Sequence, residues 1–417
     1  MRNCTSYGER PSKVLMLIEN VSFPLDRRMK HQALALQQTG YQVSVICPRG
    51  TEDRSLTDSF RGIKIYRYPR LHSAKCGLGY LLEYSWAFLC TVILSVLVWV
   101  RDGIDIIHSA NPPDMFFLLA WPYKILGKKY IFDEHDVCPE LYEAKGGRRK
   151  WVCRLLLLMQ VASYRMADLV ISTNQSYREI ARQRGAVTDE RSAVVRNGVD
   201  VAEFHRELPR VELKGDFRYM AAYVGAMGKQ DGVDGIIHAA HHAVQTYGRK
   251  DVLFVLIGRG DCWLELQELS RKLGVDDVVR FTGYISDELL LDYLSTADVG
   301  LSPDLPSRMN QLSTMTKIME YMACELPIIS FDLRETRRSA DEAAVYVPRN
   351  DPKMFAKALC DLLDDPVRRE KMGRIGLERS VNLVGLEYSR RHLLEAYSRL
   401  MRVGELAHAE TEMEKSA

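Results

Sequence analysis

Short, nearly uninterrupted runs of Val, Ile, Leu and aromatic residues alternate with helix-length segments along almost the whole chain. In the first half the runs are VLMLIEN (14–20), QVSVICP (42–48), IKIYRYP (63–69), IDIIHSA (104–110), KYIFDEHD (129–136), DLVISTN (168–174) and SAVVRNGVD (192–200). Between them helices are expected at about 27–39, 77–101, 113–126, 150–166 and 175–185. Strands with no polar alternation are buried on both faces, and parallel strands need helical crossovers, so the pattern predicts an α/β chain built on parallel sheets.

The segment VDVAEFHRELPRVELKGD (200–217) interrupts this rhythm with charges and a proline. The pattern then restarts at YMAAYVGAM (219–227), VLFVLIGRG (252–260), VVRFTGYI (278–285), VGLSP (299–303), PIISFD (327–332) and AAVYVP (343–348). Two doubly wound domains are therefore expected: residues 1–200, a linker at 201–217, and residues 218–385. A terminal helix at 386–403, crossing back to the first domain, and a frayed polar tail at 404–417 complete the organisation.

Charge and cysteine usage narrow the class. The 57 basic and 55 acidic residues nearly cancel, but residues 1–200 hold 28 of the first and 20 of the second. A basic first half favours an anionic neighbour, while the lack of dense basic runs argues against nucleic acid. Nine cysteines, an odd number without regular spacing, fit reduced thiols in the cytoplasm. The apolar stretch Trp86–Val100 would reach only about 22 Å as a helix, short of a bilayer core of about 30 Å. It is expected as a buried crossover helix.

Ligands of open parallel sheets bind beyond the carboxyl ends of the strands. After the first strand, ENVSFPLDRRMKHQ offers no glycine before Gly40, and no GxxxxGK[ST] loop occurs anywhere, which excludes dinucleotide-fingerprint and P-loop chemistry. VGAMGKQDG (224–232) and LIGRGD (256–261) leave their strands through glycines. In DLPSRMNQLSTMTKIMEYMACELP (304–327), Ser313 and Thr314 are expected to cap a helix carrying Lys317 and Glu320. Its free N–H groups and the lysine would receive a diphosphate, with Glu320 placed for a ribose; the alternative is an amphipathic helix with a solvated Lys–Glu pair. FDEHDVCPELYEAK (132–145) crowds carboxylates around His135 without HExxH or Cys/His spacing, so no metal and no other cofactor is expected. His135 could shuttle a proton or orient a sugar, or be a plain loop residue; His108 is expected to support strand packing.

These motifs taken together resemble family 4 of the retaining glycosyltransferases. The resemblance rests on NPPD (111–114), FDEHDVCPELYEAK, RNGVD (196–200), VGAMGKQDGVDGI (224–236), TGYISDELLLDYLSTADVGLSPD and STMTKIMEYMACELPIISFDLRETRRSA. They are most similar to the bacterial branch that builds O-antigen, capsule and exopolysaccharide. The resemblance implies the GT-B fold, two Rossmann-like doubly wound domains facing each other across a cleft. It also implies transfer of a sugar, with retention, from a nucleotide diphosphate sugar to a lipid-linked saccharide acceptor. Glu320 matches the glutamate that binds the donor ribose, His135 the histidine that faces the transferred sugar, and Gly225 the glycine that leads the phosphate loop. Asp26, Arg28 and Asp136 are assigned to the acceptor on the first domain.

The chain departs from the family pattern in three places. Leu312 stands where the first glutamate of the family's pair would be, and Ala226 and Asp231 stand where an Arg and a Lys are usual. Lys229, Arg308 and Lys317 are the substitute cations, with Glu335 and Arg337 as further donor-pocket candidates. These departures keep open a non-catalytic, glycosyltransferase-like binding subunit, beside a sugar-nucleotide epimerase on the same fold. The segment KGGRRKWVCRLLLLM (145–159) sets five cations around Trp151 before an apolar run, which suits the anionic inner face of the plasma membrane or, alternatively, a solvated helix start.

Overall fold

The structure, a computed structural model, describes residues 11–51, 53, 55–71 and 77–416. The chain divides into two compact units, one running to Val195 and resuming at Arg390, the other comprising Arg196–Ser389.

The first unit is built on β1 (Lys13–Leu17), β2 (Gln42–Pro48), β3 (Thr57–Phe60), β4 (Ile63–Tyr68), β5 (Ile106–Ala110), β6 (Lys129–Glu134), β7 (Leu169–Ser172) and β8 (Ser192–Val194). Their order is β3-β4-β2-β1-β5-β6-β7-β8, parallel except for the β3–β4 hairpin. The helices are α1 (Arg27–Gln38), α2 (Gly77–Arg101), α3 (Phe117–Ile125), α4 (Cys138–Ala144), α5 (Lys150–Met166) and α6 (Gln175–Gly185). The chain reverses its direction of sheet growth between β1 and β5, so their carboxyl ends form the switch point where ligands collect.

The second unit carries β9 (Tyr219–Val224), β10 (Val252–Ile257), β11 (Val279–Gly283), β12 (Val299–Ser302), β13 (Ile328–Phe331) and β14 (Ala344–Val347). Their order, β11-β10-β9-β12-β13-β14, is the doubly wound one, with its switch point between β9 and β12. Its helices are α7 (Val233–Gln245), α8 (Trp263–Lys272), α9 (Asp287–Thr296), α10 (Arg308–Leu312), α11 (Thr316–Ala323), α12 (Arg334–Ala340), α13 (Pro352–Leu363) and α14 (Pro366–Arg379). The long α15 (Leu386–Ser416) returns to the first unit, where Leu393, Ala396, Tyr397 and Leu400 join the core of β1, β2 and α1.

Several expectations change. The expected linker is pinned to the second unit: Glu207 N–H donates to Ser295 Oγ at 2.9 Å, Arg210 N–H to Thr296 Oγ1 at 2.8 Å, and Lys214 pairs with Asp298 at 2.7 Å. Residues 404–416, expected as a frayed tail, continue α15, because Ala, Glu, Met and Lys are good helix formers. The helix read at 113–126 begins only at Phe117, residues 114–116 forming a turn before it.

The largest correction concerns α2, expected to be buried. Within Leu82–Arg101 only four residues are buried. The inward stripe is Ala87, Thr91, Ser95 and Val98, small or polar, whereas Leu82, Leu89, Ile93 and Val100 face outward. A soluble crossover helix has the opposite arrangement.

Candidate functional site

In the first unit the strand ends converge on Asp133, the penultimate residue of β6, fully buried. Arg28 on the first turn of α1 donates to it twice, through Nη2 at 2.6 Å and Nε at 3.1 Å, and Gln32 one turn later donates at 2.8 Å. His135 Nε2 lies 3.1 Å and His108 Nε2 3.4 Å from the same carboxylate. Burial alone would raise the Asp133 carboxyl, but Arg28, His135 and His108 hold it well below the usual carboxylate range. The site therefore contains a permanent buried anion with His135 hung on it, ring partly open to solvent.

Asn111, at the end of β5, fixes the turn that presents His135. Its Oδ1 accepts from the N–H groups of His135 at 2.6 Å and Asp136 at 3.1 Å, while its Nδ2 donates to Asp136 O and to Asp114 Oδ1, both at 2.7 Å. His108, completely buried, joins Asp133 to α15 through Tyr397 OH, 2.6 Å from its Nδ1; burial lowers its pKa. It supports packing, as expected.

The acceptor candidates separate. Asp26 caps α1, its carboxylate accepting from Met29 N–H at 2.9 Å, and Arg28 is the partner of Asp133 and of Val195 O at 2.6 Å. Asp26 therefore steadies the start of α1, and Arg28 ties α1 to Asp133 and to the end of β8. Asp136 stands beside His135 on the same turn, its carboxyl pushed up by burial.

In the second unit the β9 and β10 turns meet backbone to backbone. Gly225 has φ +148°, and Gly258, at φ +119°, lies so close that an added Cβ would sit 2.1 Å from Gly225 O. A Cβ at Gly260 would meet the Met227 backbone at 2.6 Å. Only glycine permits this approach, which is fixed by Gly225 N–H to Ile257 O at 3.0 Å and Cys262 N–H to Met227 O at 2.9 Å.

Beside this loop, at the other edge of the switch point, Asp304 follows β12 and is buried. Lys317 places Nζ 2.7 and 2.8 Å from its two carboxylate oxygens and 5.0 Å from the Tyr223 ring centroid. Lys317 was expected to meet diphosphate as a full charge. It is instead already neutralised by Asp304, the first residue of the same segment, whose carboxylate the local pattern gives no role. Lys229 and Arg308 remain exposed near the loop and the start of α10. Asp231, where a cation is usual in the family, has its carboxyl raised by burial and accepts from Gly228 N–H at 2.8 Å.

Ser313 and Thr314 do not cap α11. The helix starts at Thr316 with Met315 in the cap position, because Ser313 is held back by its Oγ donating to Met309 O at 2.9 Å and closes α10. Thr314 Oγ1 is buried with no hydrogen-bond partner among the described residues. Glu320 lies on the same short helix as Lys317, and both are buried. Glu335 is fully buried against Arg338 at 2.8 Å, and Arg337 is occupied by Asp332.

Residues 25–198 match the family model "Glycosyl transferase 4-like domain", and residues 218–365 match "Glycosyl transferases group 1". Over 190 residues the chain is 31% identical to an alpha-D-kanosaminyltransferase of Streptomyces kanamyceticus, covering 44% of this chain and 46% of that protein. Its matches span about half the length of such curated relatives. Among solved structures, the sucrose-phosphate synthase of Thermosynechococcus elongatus superposes with a TM-score of 0.75 at 18% identity, over 94% of this chain and all of that one. HepE of Anabaena, in complex with UDP, gives 0.69 at 14% identity over 93% of this chain and 99% of its own. The fold is GT-B.

Two variants test this geometry. Asp133→Asn keeps the shape but strands the buried Arg28 guanidinium, so urea unfolding should show a loss of about 3–5 kcal/mol. The folded-state pKa of Asp133 is depressed, so its contribution is present above about pH 4 and lost as pH falls below that. The wild type should therefore lose more stability on acidification than the variant. Gly258→Ala should cost about 3 kcal/mol or more, since the clash adds to the positive φ. Gly248→Ala, at φ +68° in open space, should cost only about 1 kcal/mol.

Proposed function

Because the chain carries a glycosyl transferase 4-like domain followed by a glycosyl transferases group 1 domain, we propose that it is a retaining glycosyltransferase. It moves a hexosyl or N-acetylhexosaminyl group from a nucleotide diphosphate sugar to a lipid-linked saccharide in cell-surface polysaccharide synthesis. The observation that carries this reading is the glycine-relieved junction of Gly225 and Gly258 beyond β9 and β10, beside the β9–β12 switch point, with Glu320 and the Lys317–Asp304 pair on the elements that follow β12. A turn without side chains lets backbone approach a diphosphate, and Glu320 accepts hydrogen bonds from the ribose. The UDP complex of a similar fold supports the same class of donor.

In this reading the bond between the anomeric carbon and the diphosphate oxygen breaks as the acceptor hydroxyl oxygen bonds to that carbon. The hydroxyl proton passes to the leaving diphosphate. Since Lys317 is neutralised by Asp304, the leaving charge falls to backbone N–H groups, Lys229, Arg308 and the hydroxyls of Ser313 and Thr314. His135, oriented by Asp133 and Asn111, faces the transferred sugar and acts as positive charge develops on its anomeric carbon. The basic start of α5, Lys145–Arg154, draws the cytoplasmic enzyme to the anionic inner face of the plasma membrane.

A second reading is favoured by Leu312 and by the same neutralised Lys317: a subunit that binds nucleotide sugar without turning it over. Turnover assayed beside nucleotide binding separates the two.

Glu320→Ala should weaken binding of the cognate nucleotide at least tenfold in calorimetry, from loss of charge-assisted bonds of about 1.5–3 kcal/mol. Unchanged affinity in the folded variant removes the ribose assignment. His135→Ala should bind nucleotide almost normally yet turn over at least a hundredfold more slowly, about 2.7 kcal/mol of barrier. A histidine that served only the fold would instead lower the melting temperature and leave specific activity intact.

A further inference from the structure

Three helices on one side of the first unit's sheet present a surface that water does not favour. The outward residues of α2 include Leu82, Trp86, Leu89, Ile93, Leu97 and Val100, spaced three or four apart and so forming one stripe. Large apolar side chains left in water forgo the favourable free energy of burial. The stripe continues onto α3, because Tyr123 receives both the Trp99 ring edge-on at 5.7 Å and Ser95 Oγ at 3.0 Å. There Leu118, Trp121 and Ile125 are exposed, and α5, packed beside α3, exposes Trp151, Leu155 and Leu158.

Two observations name the occupant. The chain has five tryptophans, and four of them, Trp86, Trp99, Trp121 and Trp151, are exposed on these three helices. Tryptophan concentrates at the boundary between hydrocarbon and headgroups. The charge is also one-sided: across α2, α3 and α5 the sole carboxylate is Glu83, turned to Arg70, whereas Arg148, Arg149, Lys150 and Arg154 stand at the start of α5. An apolar face edged by cations complements an anionic bilayer.

We propose that α2, with the exposed faces of α3 and α5, lies in the plane of the membrane and immerses its apolar stripe among the acyl chains. The claim rests on the membrane reading above and adds that the attachment is an insertion, not only an electrostatic attraction. α2 does not cross the bilayer. It connects β4 to β5 of one sheet and keeps its Ala87–Thr91–Ser95–Val98 face against that sheet, leaving only the opposite face for lipid. A helix lying in this way sinks about 5–10 Å, which suits one exposed face. Placed so, the first unit would meet a lipid-linked acceptor at the surface where it resides.

The test uses the full chain, sedimented with phosphatidylcholine vesicles made with and without phosphatidylglycerol, at low and high salt. Wild type should partition onto both, more strongly with phosphatidylglycerol, and a large part of the binding should resist salt. A variant carrying Leu89→Gln, Ile93→Gln, Leu97→Gln and Val100→Gln changes exposed positions alone, so its melting temperature and nucleotide affinity should stay near wild type. Its salt-resistant partitioning should fall at least tenfold. Arg148→Gln, Arg149→Gln and Lys150→Gln together should remove only the salt-sensitive part. If the four-glutamine variant keeps its salt-resistant binding, insertion by α2 is wrong while the membrane reading stands. If wild type binds neither vesicle, both fall. A lipid-free dimer, dissociated by the same four substitutions and unable to bind vesicles, would assign the face to a second copy and overturn the proposal. Nucleotide affinity, measured in parallel, reports on the glycosyltransferase reading independently.

Discussion

One buried carboxylate organises the first unit. Asp133 sits where β6 ends, takes Arg28 and Gln32 from α1, and holds His135 on its own turn and His108 on β5. Arg28 extends the connection to Val195 beyond β8, and His108 extends it to Tyr397 on α15. An anion this deep is stable only while its cation and donors stay in place, so elements far apart in sequence share a single electrostatic requirement. The same requirement fixes the ring of His135, which would otherwise rotate at the end of a loop.

The second unit solves a different problem. On the proposed function, a pyrophosphate needs backbone N–H groups at close range, which side chains would obstruct. Gly225, Gly258 and Gly260 remove that obstruction in turns leaving two adjacent strands, and Met227 is threaded between them. The nearby lysine is not a spare charge, since Asp304 neutralises it. The exposed cations near this loop and the start of α10 include Lys229 and Arg308.

The outward face of α2 follows from the same topology. A parallel sheet must cover both faces, and α2 covers part of one with a narrow stripe of small residues that allows close approach. Its large side chains are thus free for another environment. Hydrophobic content marks such a helix as unusual without saying which way it points, because burial and immersion in lipid select the same residues.

The alternation of apolar strands with helices was sufficient for the two parallel sheets, and glycine after β9 and β10 marked the strand ends where two backbones meet. Local pattern reaches this far because strand burial and turn geometry are set by neighbours in sequence. It could not show that Asp133 rather than His135 is the hub, nor that Arg28 is already engaged, since its partner lies 105 residues away. Ser313 and Thr314 looked like caps for a similar reason: composition names residues able to cap, but the hydrogen bond from Ser313 to Met309 decides which one does. The sequence by itself determined the fold class, the division of the chain and the strand ends at which chemistry could occur. The tertiary structure alone decided which charges are spent on one another and which apolar face is left outside, because pairing and exposure depend on distances that only packing sets.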